Sequence, residues 1–180
     1  MTTNKIAILA QQPHKIFRTS DLRILWNITN QNTLYKTIAR LIKKKNIFPI
    51  QKGLYSIVPI NQLDPLEIGF RAIKTFSYLS TESVLANNGL INQIPSKITF
   101  ISQKSANFII NNTYYSVRQL KASSLHNPIG IKQNNLGIFV ATIERAVADM
   151  LYFQPKYHFD NDGKIDWTLV KNYQTQLGYL

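Results

Sequence analysis

Between residues 29 and 45, apolar residues recur at the spacing of an α-helix. Four of them, at i, i+4, i+7 and i+8, form one stripe: Leu34, Ile38, Leu41 and Ile42. The opposite side carries polar and basic residues and no acid: Asn32, Thr33, Lys36, Arg40 and Lys43. Asn30 can cap this helix, because its side-chain oxygen can accept an amide of the first turn. The pattern predicts an amphipathic helix whose basic face is either an ordinary solvated surface or a DNA-recognition surface.

A shorter helix is predicted before this one. Ser20 can cap it, and Asp21 then lies at its positive N-terminal end. Its apolar residues are predicted to be buried: Leu22, Leu25 and Trp26. Two helices joined by a turn of about four residues, the second basic outside and apolar inside, are typical of a helix-turn-helix.

Two short apolar runs, residues 47–50 and 54–58, follow the basic helix and predict a β-hairpin. The turn between them contains Lys52 and Gly53, and glycine can adopt the positive φ that a tight hairpin needs. A helix-turn-helix followed directly by a hairpin predicts a winged helix in residues 1–58. Lys52 at the tip of the wing can reach a phosphate or the minor groove.

Residues 59–65 predict a linker to a second domain. Apolar residues at helical spacing then predict one helix over residues 66–79. Ser80 or Thr81 can cap a further helix, which Gly89 is expected to end.

The rest of the chain alternates short apolar runs with Asn- and Ser-rich turns. The runs predict strands at residues 97–102, 108–111, 114–118, 129–131 and 138–141. Thr142 and Asp166 can cap two later helices. The predicted fold class is α+β, with residues 66–180 forming an α+β domain that contains a small antiparallel sheet.

Composition and charge then narrow the class of protein. Cysteine is absent, which excludes disulfides, Cys-ligated zinc and thiol catalysis. With no apolar run near the roughly 20 residues of a membrane span and no signal-peptide pattern, a cytoplasmic protein is expected. Residues 1–58 contain ten Lys or Arg against one acid, whereas the remaining residues contain eleven against eight. This concentration of positive charge is the pattern expected of a nucleic-acid-binding domain.

The expected contacts with double-stranded DNA follow from the helix geometry. If the basic helix enters the major groove by its N-terminus, Asn32, Thr33 and Lys36 lie nearest the base edges. Asn can pair with adenine through two hydrogen bonds, and Lys can donate to guanine. The other basic residues are expected to contact phosphates: Arg40, Lys43, Lys44 and Lys52. Tyr35, on the flank of the apolar stripe, is expected to pack rather than to contact DNA.

Glu144, Arg145 and Asp149 raise the alternative of an enzyme, such as a nuclease. Arg145 and Asp149 are four residues apart on a predicted helix, so an ion pair that braces the helix against the sheet is the favoured interpretation. The acidic stretch 160–166 does not fit a calcium loop, because His158 and Leu169 occupy the positions that require carboxylates. The histidines have no metal spacing, and no nucleotide-binding or hydrolase motif is present. We therefore expect no enzymatic activity, no metal and no cofactor.

Three segments resemble the AbiEi family of antitoxins from bacterial type IV toxin–antitoxin systems: GLYSI, YLSTESVLANNGL and LGIFVATIERAVADMLYF. In that family a winged helix precedes an α/β domain with a helix of the A-T-x-E-R-A-x-x-D type. The matching residues are Ala141, Thr142, Glu144, Arg145, Ala146 and Asp149. The resemblance extends over roughly residues 15 to 178.

The resemblance implies a repressor that binds inverted repeats upstream of its own operon through the winged helix. It also implies that the C-terminal domain counteracts a nucleotidyltransferase-type toxin without forming a stable complex with it. Because one winged helix reads only a few base pairs, a homodimer on the DNA or repeated sites are expected. The alternative is a plain winged-helix regulator whose C-terminal domain dimerises or senses a ligand.

Overall fold

A computed structural model of the chain describes residues 2–180. These residues form a mixed α+β fold with eight α-helices and two β-sheets. They divide into two compact units, of which the first ends at Ala72 and the second begins at Ile73. None of the helices in residues 2–180 is long and apolar enough to cross a membrane.

The first unit has four α-helices and a three-stranded sheet. Its elements are α1 (Thr2–Ala10), β1 (Ile16–Arg18), α2 (Thr19–Leu25), α3 (Gln31–Lys43), β2 (Phe48–Gln51), β3 (Leu54–Ser56) and α4 (Pro65–Ala72). The sheet has the order β1-β3-β2, and both pairs are antiparallel. The predicted hairpin is therefore present as β2 and β3, and β1 completes the sheet on the other side of β3.

The core of the first unit is formed by apolar residues from α1, β1, α2, α3 and the segment before β2. Its buried members are Leu9, Phe17, Leu22, Trp26, Leu34, Ile38, Leu41 and Ile47. The stripe predicted for α3 thus lies in this core except for Ile42, which is only partly buried against it. Burying an amphipathic face in this way supplies most of the stability of such a helix.

Helix α4 belongs to the first unit, although the sequence pattern assigned residues 66–79 to a single helix of the second domain. Glu67 on α4 accepts a hydrogen bond from the Lys15 amide at 3.3 Å. Arg18 donates from Nε to the carbonyl oxygen of Arg71 at 3.0 Å. These contacts, made across about fifty residues of sequence, join α4 to the segment around β1 and could not be inferred from local periodicity.

The second unit contains four α-helices and a six-stranded sheet. Its elements are β4 (Ser77–Leu79), α5 (Glu82–Asn87), β5 (Ile98–Ser102), β6 (Ala106–Ile110), β7 (Thr113–Gln119), α6 (Ala122–Leu125), β8 (Ile131–Gln133), β9 (Phe139–Ala141), α7 (Ile143–Phe153) and α8 (Trp167–Leu177). The strand order is β6-β7-β5-β4-β9-β8.

This sheet is mixed, so the prediction of a small antiparallel sheet was wrong. β5 pairs with β7 in parallel, and β4 pairs with β9 in parallel. β6 and β7 form a hairpin across Asn111 and Asn112, both at positive φ, and β7 then lies between β6 and β5. Side-chain alternation does not reveal which strands become neighbours, so the direction of pairing had no signal in the sequence pattern.

The strand β4 was missed because its residues fall within the segment predicted as one long helix. All three residues of β4 are buried, and the strand lies in the interior of the sheet between β5 and β9. A strand that is buried on both faces lacks the apolar–polar alternation that marks a half-exposed strand. Periodicity alone therefore could not separate it from the end of a helix.

Candidate nucleic-acid interface

The connection between α2 and α3 fixes where α3 begins. Asn27 adopts a φ of 50°, and its amide donates to the Ile24 carbonyl at 3.0 Å. The Ile28 amide donates to the Arg23 carbonyl, also at 3.0 Å. This pattern is a Schellman turn, for which asparagine is one of the few residues that adopt the left-handed conformation readily. It ends α2 and redirects the chain into α3.

Helix α3 begins at the predicted cap. The side-chain oxygen of Asn30 accepts a hydrogen bond from the Thr33 amide at 3.0 Å. The cap of α2 differs from the prediction, because Ser20 lies inside the first turn of that helix. The carboxylate of Asp21 instead accepts the Arg18 amide at 2.8 Å.

A second Schellman turn ends α3. The Asn46 amide donates to the Leu41 carbonyl at 3.0 Å, and the Lys45 amide donates to the Ile42 carbonyl at 2.9 Å. Lys45 occupies the left-handed position with a φ of 53°, where glycine is the usual residue. A side-chain cap thus holds the N-terminal end of α3, and backbone hydrogen bonds hold its C-terminal end.

The two faces of α3 have opposite chemical character. The buried residues are Leu34, Thr37, Ile38 and Leu41. The residues that the sequence predicted to contact DNA are all exposed: Asn32, Thr33, Lys36, Arg40, Lys43, Lys44 and Lys52. Within residues 2–180 the ion pairs are Arg118–Glu82 and Arg145–Asp149, so none of these cations is neutralised by an acid.

Lys52 lies in the turn between β2 and β3, next to Gly53 at a φ of 81°. The Thr19 amide donates to the Gly53 carbonyl at 3.0 Å, which ties the turn to the start of α2. The turn is therefore anchored in the first unit by its backbone, while the Lys52 side chain extends into solvent.

Tyr35, which was expected to pack rather than to contact DNA, lies at the surface of α3. Its side chain is 48% exposed, and its hydroxyl accepts a hydrogen bond from Nε2 of Gln31 at 3.1 Å. Both residues are on the exposed side of the first half of α3. Tyr35 is adjacent in sequence to the apolar stripe, so the sequence pattern is compatible with either a buried or an exposed side chain.

Sequence reasoning also missed a groove beside the start of α3. It has a volume of about 470 Å³ and is lined by Ser20, Arg23, Ile24, Asn27, Ile28 and Thr29. Arg23 is exposed, and hydroxyl, amide and guanidinium groups are the donors that commonly bind DNA phosphates. The signal in the sequence was a basic residue in α2, the helix that precedes α3.

A second cluster of polar residues lies inside the second unit, around Arg145. Arg145 is fully buried, and its Nε donates to Asp149 at 3.0 Å, which is the ion pair predicted from their spacing. The other guanidinium nitrogens donate to Ile129 O at 2.9 Å, Tyr78 OH at 2.6 Å, Ser124 O at 3.2 Å and Asn127 O at 3.3 Å. These five bonds satisfy all five donors of the guanidinium group.

The Asp149 carboxylate is equally saturated. Besides Arg145 it accepts hydrogen bonds from the hydroxyls of Tyr179 at 2.5 Å, Ser80 at 2.8 Å and Tyr78 at 3.0 Å. Burial, and then the negative charge of Asp149, raise the pKa of Tyr78 and of Tyr179, so that both stay protonated as donors. Burial by itself would lower the pKa of Arg145, but the Asp149 carboxylate raises it above its ordinary value.

These contacts favour the structural interpretation of the A-T-x-E-R-A-x-x-D segment. Thr142 caps α7 by accepting the Arg145 amide at 3.3 Å, and Glu144 is partly buried in the first turn. Ser80 contacts Asp149 instead of capping α5, whose N-cap residue is Thr81 with no side-chain cap bond. Arg145 and Asp149 thus join α7 to β4, to α6 and to the segment after α6, and both side chains are fully buried.

The acidic stretch 160–166 also has structural partners. Asp160 accepts the Asn92 amide at 2.6 Å, and Asp166 caps α8 by accepting the Leu169 amide at 2.9 Å, as predicted. Within residues 2–180, no three His, Asp or Glu side chains converge in a way that could hold a metal ion.

No protein-family model matches the chain, and no curated protein matches it significantly. The resemblance to AbiEi antitoxins therefore depends on the sequence segments quoted above.

Proposed function

We propose that the first unit is a winged helix-turn-helix that binds double-stranded DNA. The observation that carries this proposal is the exposed, acid-free face of α3, opposite a face that is buried in the core. The hairpin of β2 and β3, which follows α3 and carries Lys52 at its turn, supports the same function. In this proposal α3 enters the major groove, and the hairpin is the wing.

The proposed contacts divide into two kinds. Asn32, Thr33 and Lys36 in the first half of α3 contact base edges and give sequence preference. The other exposed cations contact phosphates and give affinity that falls with salt: Arg40, Lys43, Lys44 and Lys52.

We further propose that the protein is a type IV antitoxin that represses its own operon. This step rests on the resemblance of the A-T-x-E-R-A-x-x-D segment and of the segment around α5 to AbiEi antitoxins. The protein would act in the bacterial cytoplasm, binding inverted repeats as a homodimer. Its second unit would oppose a nucleotidyltransferase-type toxin without a stable complex.

DNA binding can be tested by fluorescence anisotropy, with the DNA upstream of the gene and a shuffled duplex of equal length. Preferential binding of the upstream DNA is expected, and equal binding of both duplexes would overturn the proposed repressor. Four phosphate contacts predict a log–log salt slope of about −3.6, from roughly −0.9 per contact. Lys44→Ala is expected to reduce that slope by about 0.9, whereas Lys171→Ala, at an exposed lysine of α8, should leave it unchanged.

The choice of helix face can be tested with Lys36→Ala and Arg40→Ala. Both side chains are exposed, so both variants should keep the wild-type melting temperature while binding the upstream DNA more weakly. Wild-type affinity in both variants would mean that α3 contacts DNA through another face or not at all.

The antitoxin role is tested by co-expression with a neighbouring nucleotidyltransferase gene. The full chain is expected to restore growth of cells that express the toxin, and the two proteins should not co-purify. Growth arrest that persists while the full chain is expressed and folded would overturn the antitoxin role and leave the alternative, a plain winged-helix regulator whose C-terminal domain dimerises or senses a ligand.

A further inference from the structure

An unexpected feature of α3 is the hydrogen bond between two exposed side chains of its first two turns. Gln31 donates from Nε2 to the Tyr35 hydroxyl at 3.1 Å, and Tyr35 remains 48% exposed. We propose that Gln31 and Tyr35 form a preassembled pair that reads adenine in the major groove. This inference rests on the proposed function of α3 in DNA binding.

The chemistry of the pair fits the adenine edge. A glutamine amide has two N–H donors and one carbonyl acceptor, and Tyr35 occupies one of the donors. The remaining N–H and the carbonyl oxygen form a donor–acceptor pair on the Gln31 amide. Adenine presents the complementary pair in the major groove, with N7 as acceptor and the N6 amino group as donor.

The position of the pair also fits this role. Gln31 is the first residue of α3, and Tyr35 lies one turn later on the same side. The N-terminal residues of a recognition helix come closest to the base edges. The Asn30 cap fixes the backbone of this turn, so the location of the Gln31 side chain is set before DNA binds.

Tyr35 acts in this proposal as a positioning residue. A free glutamine side chain has many rotamers, and ordering them on binding reduces affinity. The bond to a rigid aromatic side chain selects the orientation of the amide in advance. The Tyr35 hydroxyl, which accepts from Gln31, keeps its own proton and can donate it to a phosphate oxygen or to a base acceptor.

The test begins with the sequence that the wild-type full chain selects from a random duplex library. Each adenine of the selected duplex is then replaced in turn by 7-deazaadenine, which lacks the N7 acceptor and keeps normal base pairing. At one adenine, wild-type affinity should fall about tenfold, which corresponds to the lower part of the range for a bidentate contact. The Gln31→Ala variant should bind the natural duplex and that substituted duplex equally.

Two further variants distinguish three effects: recognition of adenine by Gln31, orientation of Gln31 by Tyr35, and general affinity for the DNA backbone. Tyr35→Phe removes only the hydroxyl, and it should lose part of the discrimination at the same adenine. Lys44→Ala should bind the natural and the substituted duplex more weakly by the same factor, because a phosphate contact carries no base preference. All of these side chains are exposed, so the variants should melt at the wild-type temperature.

The outcomes distinguish this inference from the proposed function. If the wild type selects no sequence, specific DNA recognition fails and the adenine-reading pair fails with it. If a sequence is selected but every adenine responds to 7-deazaadenine equally in the wild type and in Gln31→Ala, only this inference is overturned. If Gln31→Ala loses the discrimination and Tyr35→Phe keeps all of it, the positioning role of Tyr35 is overturned.

Discussion

Replacing Arg145 by Met tests whether the buried ion pair braces the second unit. The change removes the guanidinium group while keeping an unbranched side chain of similar length. Asp149 is then left with its charge buried and without its cationic partner. Three backbone carbonyls, at Ser124, Asn127 and Ile129, also lose their Arg145 donors.

The magnitude follows from these contacts. Removing one partner of a buried ion pair destabilises a protein by about 3–5 kcal/mol. The side chain of Asp149 is fully buried, so no solvent screens the charge that remains. At about 4 °C for each kcal/mol, the melting temperature of the second unit should fall by roughly 12 °C or more.

The assay is urea or thermal unfolding of the full chain, with near-ultraviolet circular dichroism as the signal. Lys171→Met is the matched control, because it removes an exposed cation from α8 and should change stability by less than about 0.5 kcal/mol. Tyr179→Phe removes one of the bonds to Asp149 and should have an intermediate effect of about 1 kcal/mol.

A loss of less than about 1 kcal/mol in Arg145→Met would refute this reasoning, because that is the range of an exposed ion pair. A double-mutant cycle with Asp149→Asn gives an independent check. Since the two residues share their hydrogen bonds, the double variant should be more stable than the sum of the single effects implies. If the two single effects on the free energy of unfolding simply added, the interaction between Arg145 and Asp149 would contribute nothing to stability.

Three further predictions concern the backbone and the titration of buried groups. Gly130→Ala should lower the free energy of unfolding in urea by about 1–3 kcal/mol more than Gly178→Ala does, which is the range expected of an overpacked site. Both glycines have a φ near 66°, but only at Gly130 would the new Cβ lie 2.7 Å from two side-chain carbons. Lys45→Gly should stabilise the first unit by about 0.5–1 kcal/mol, because Lys45 has a φ of 53°, which glycine adopts more readily. Lys43→Gly, inside α3, should destabilise the unit by about 1 kcal/mol. Equal effects of the two variants in thermal unfolding would contradict the left-handed conformation of Lys45. The raised pKa of Tyr78 means that the folded state holds its proton when the unfolded state, with an ordinary value of 10.0, has lost it. Stability should therefore be constant with respect to this group below pH 10 and fall above it by up to about 1.4 kcal/mol per pH unit, and Tyr78→Phe should remove that part of the slope.

The local sequence pattern was sufficient to predict those structural features that depend on residues close together in sequence. The apolar stripe of α3 and the caps Asn30, Thr142 and Asp166 occupy their predicted positions. Gly89 ends α5 at a φ of 66°, as its position implied. Helix periodicity and capping involve residues only three or four positions apart, so the sequence carries their signal directly.

Other features depended on residues brought together from distant parts of the chain. The mixed sheet, the strand β4 and the membership of α4 in the first unit were not predicted for this reason. The partners of Arg145 had no local signal either, because Tyr78 and Ser124 are 67 and 21 residues away from it in sequence.

The candidate DNA-binding face shows the same division. The sequence alone determined that α3 has an acid-free side, because charge and periodicity are properties of the sequence itself. The exposure of Tyr35, on the border of that side, and its hydrogen bond to Gln31 became visible only in the folded unit. A residue at the edge of an amphipathic stripe is buried or exposed according to what packs beside the helix, and that is decided by the fold of the whole unit.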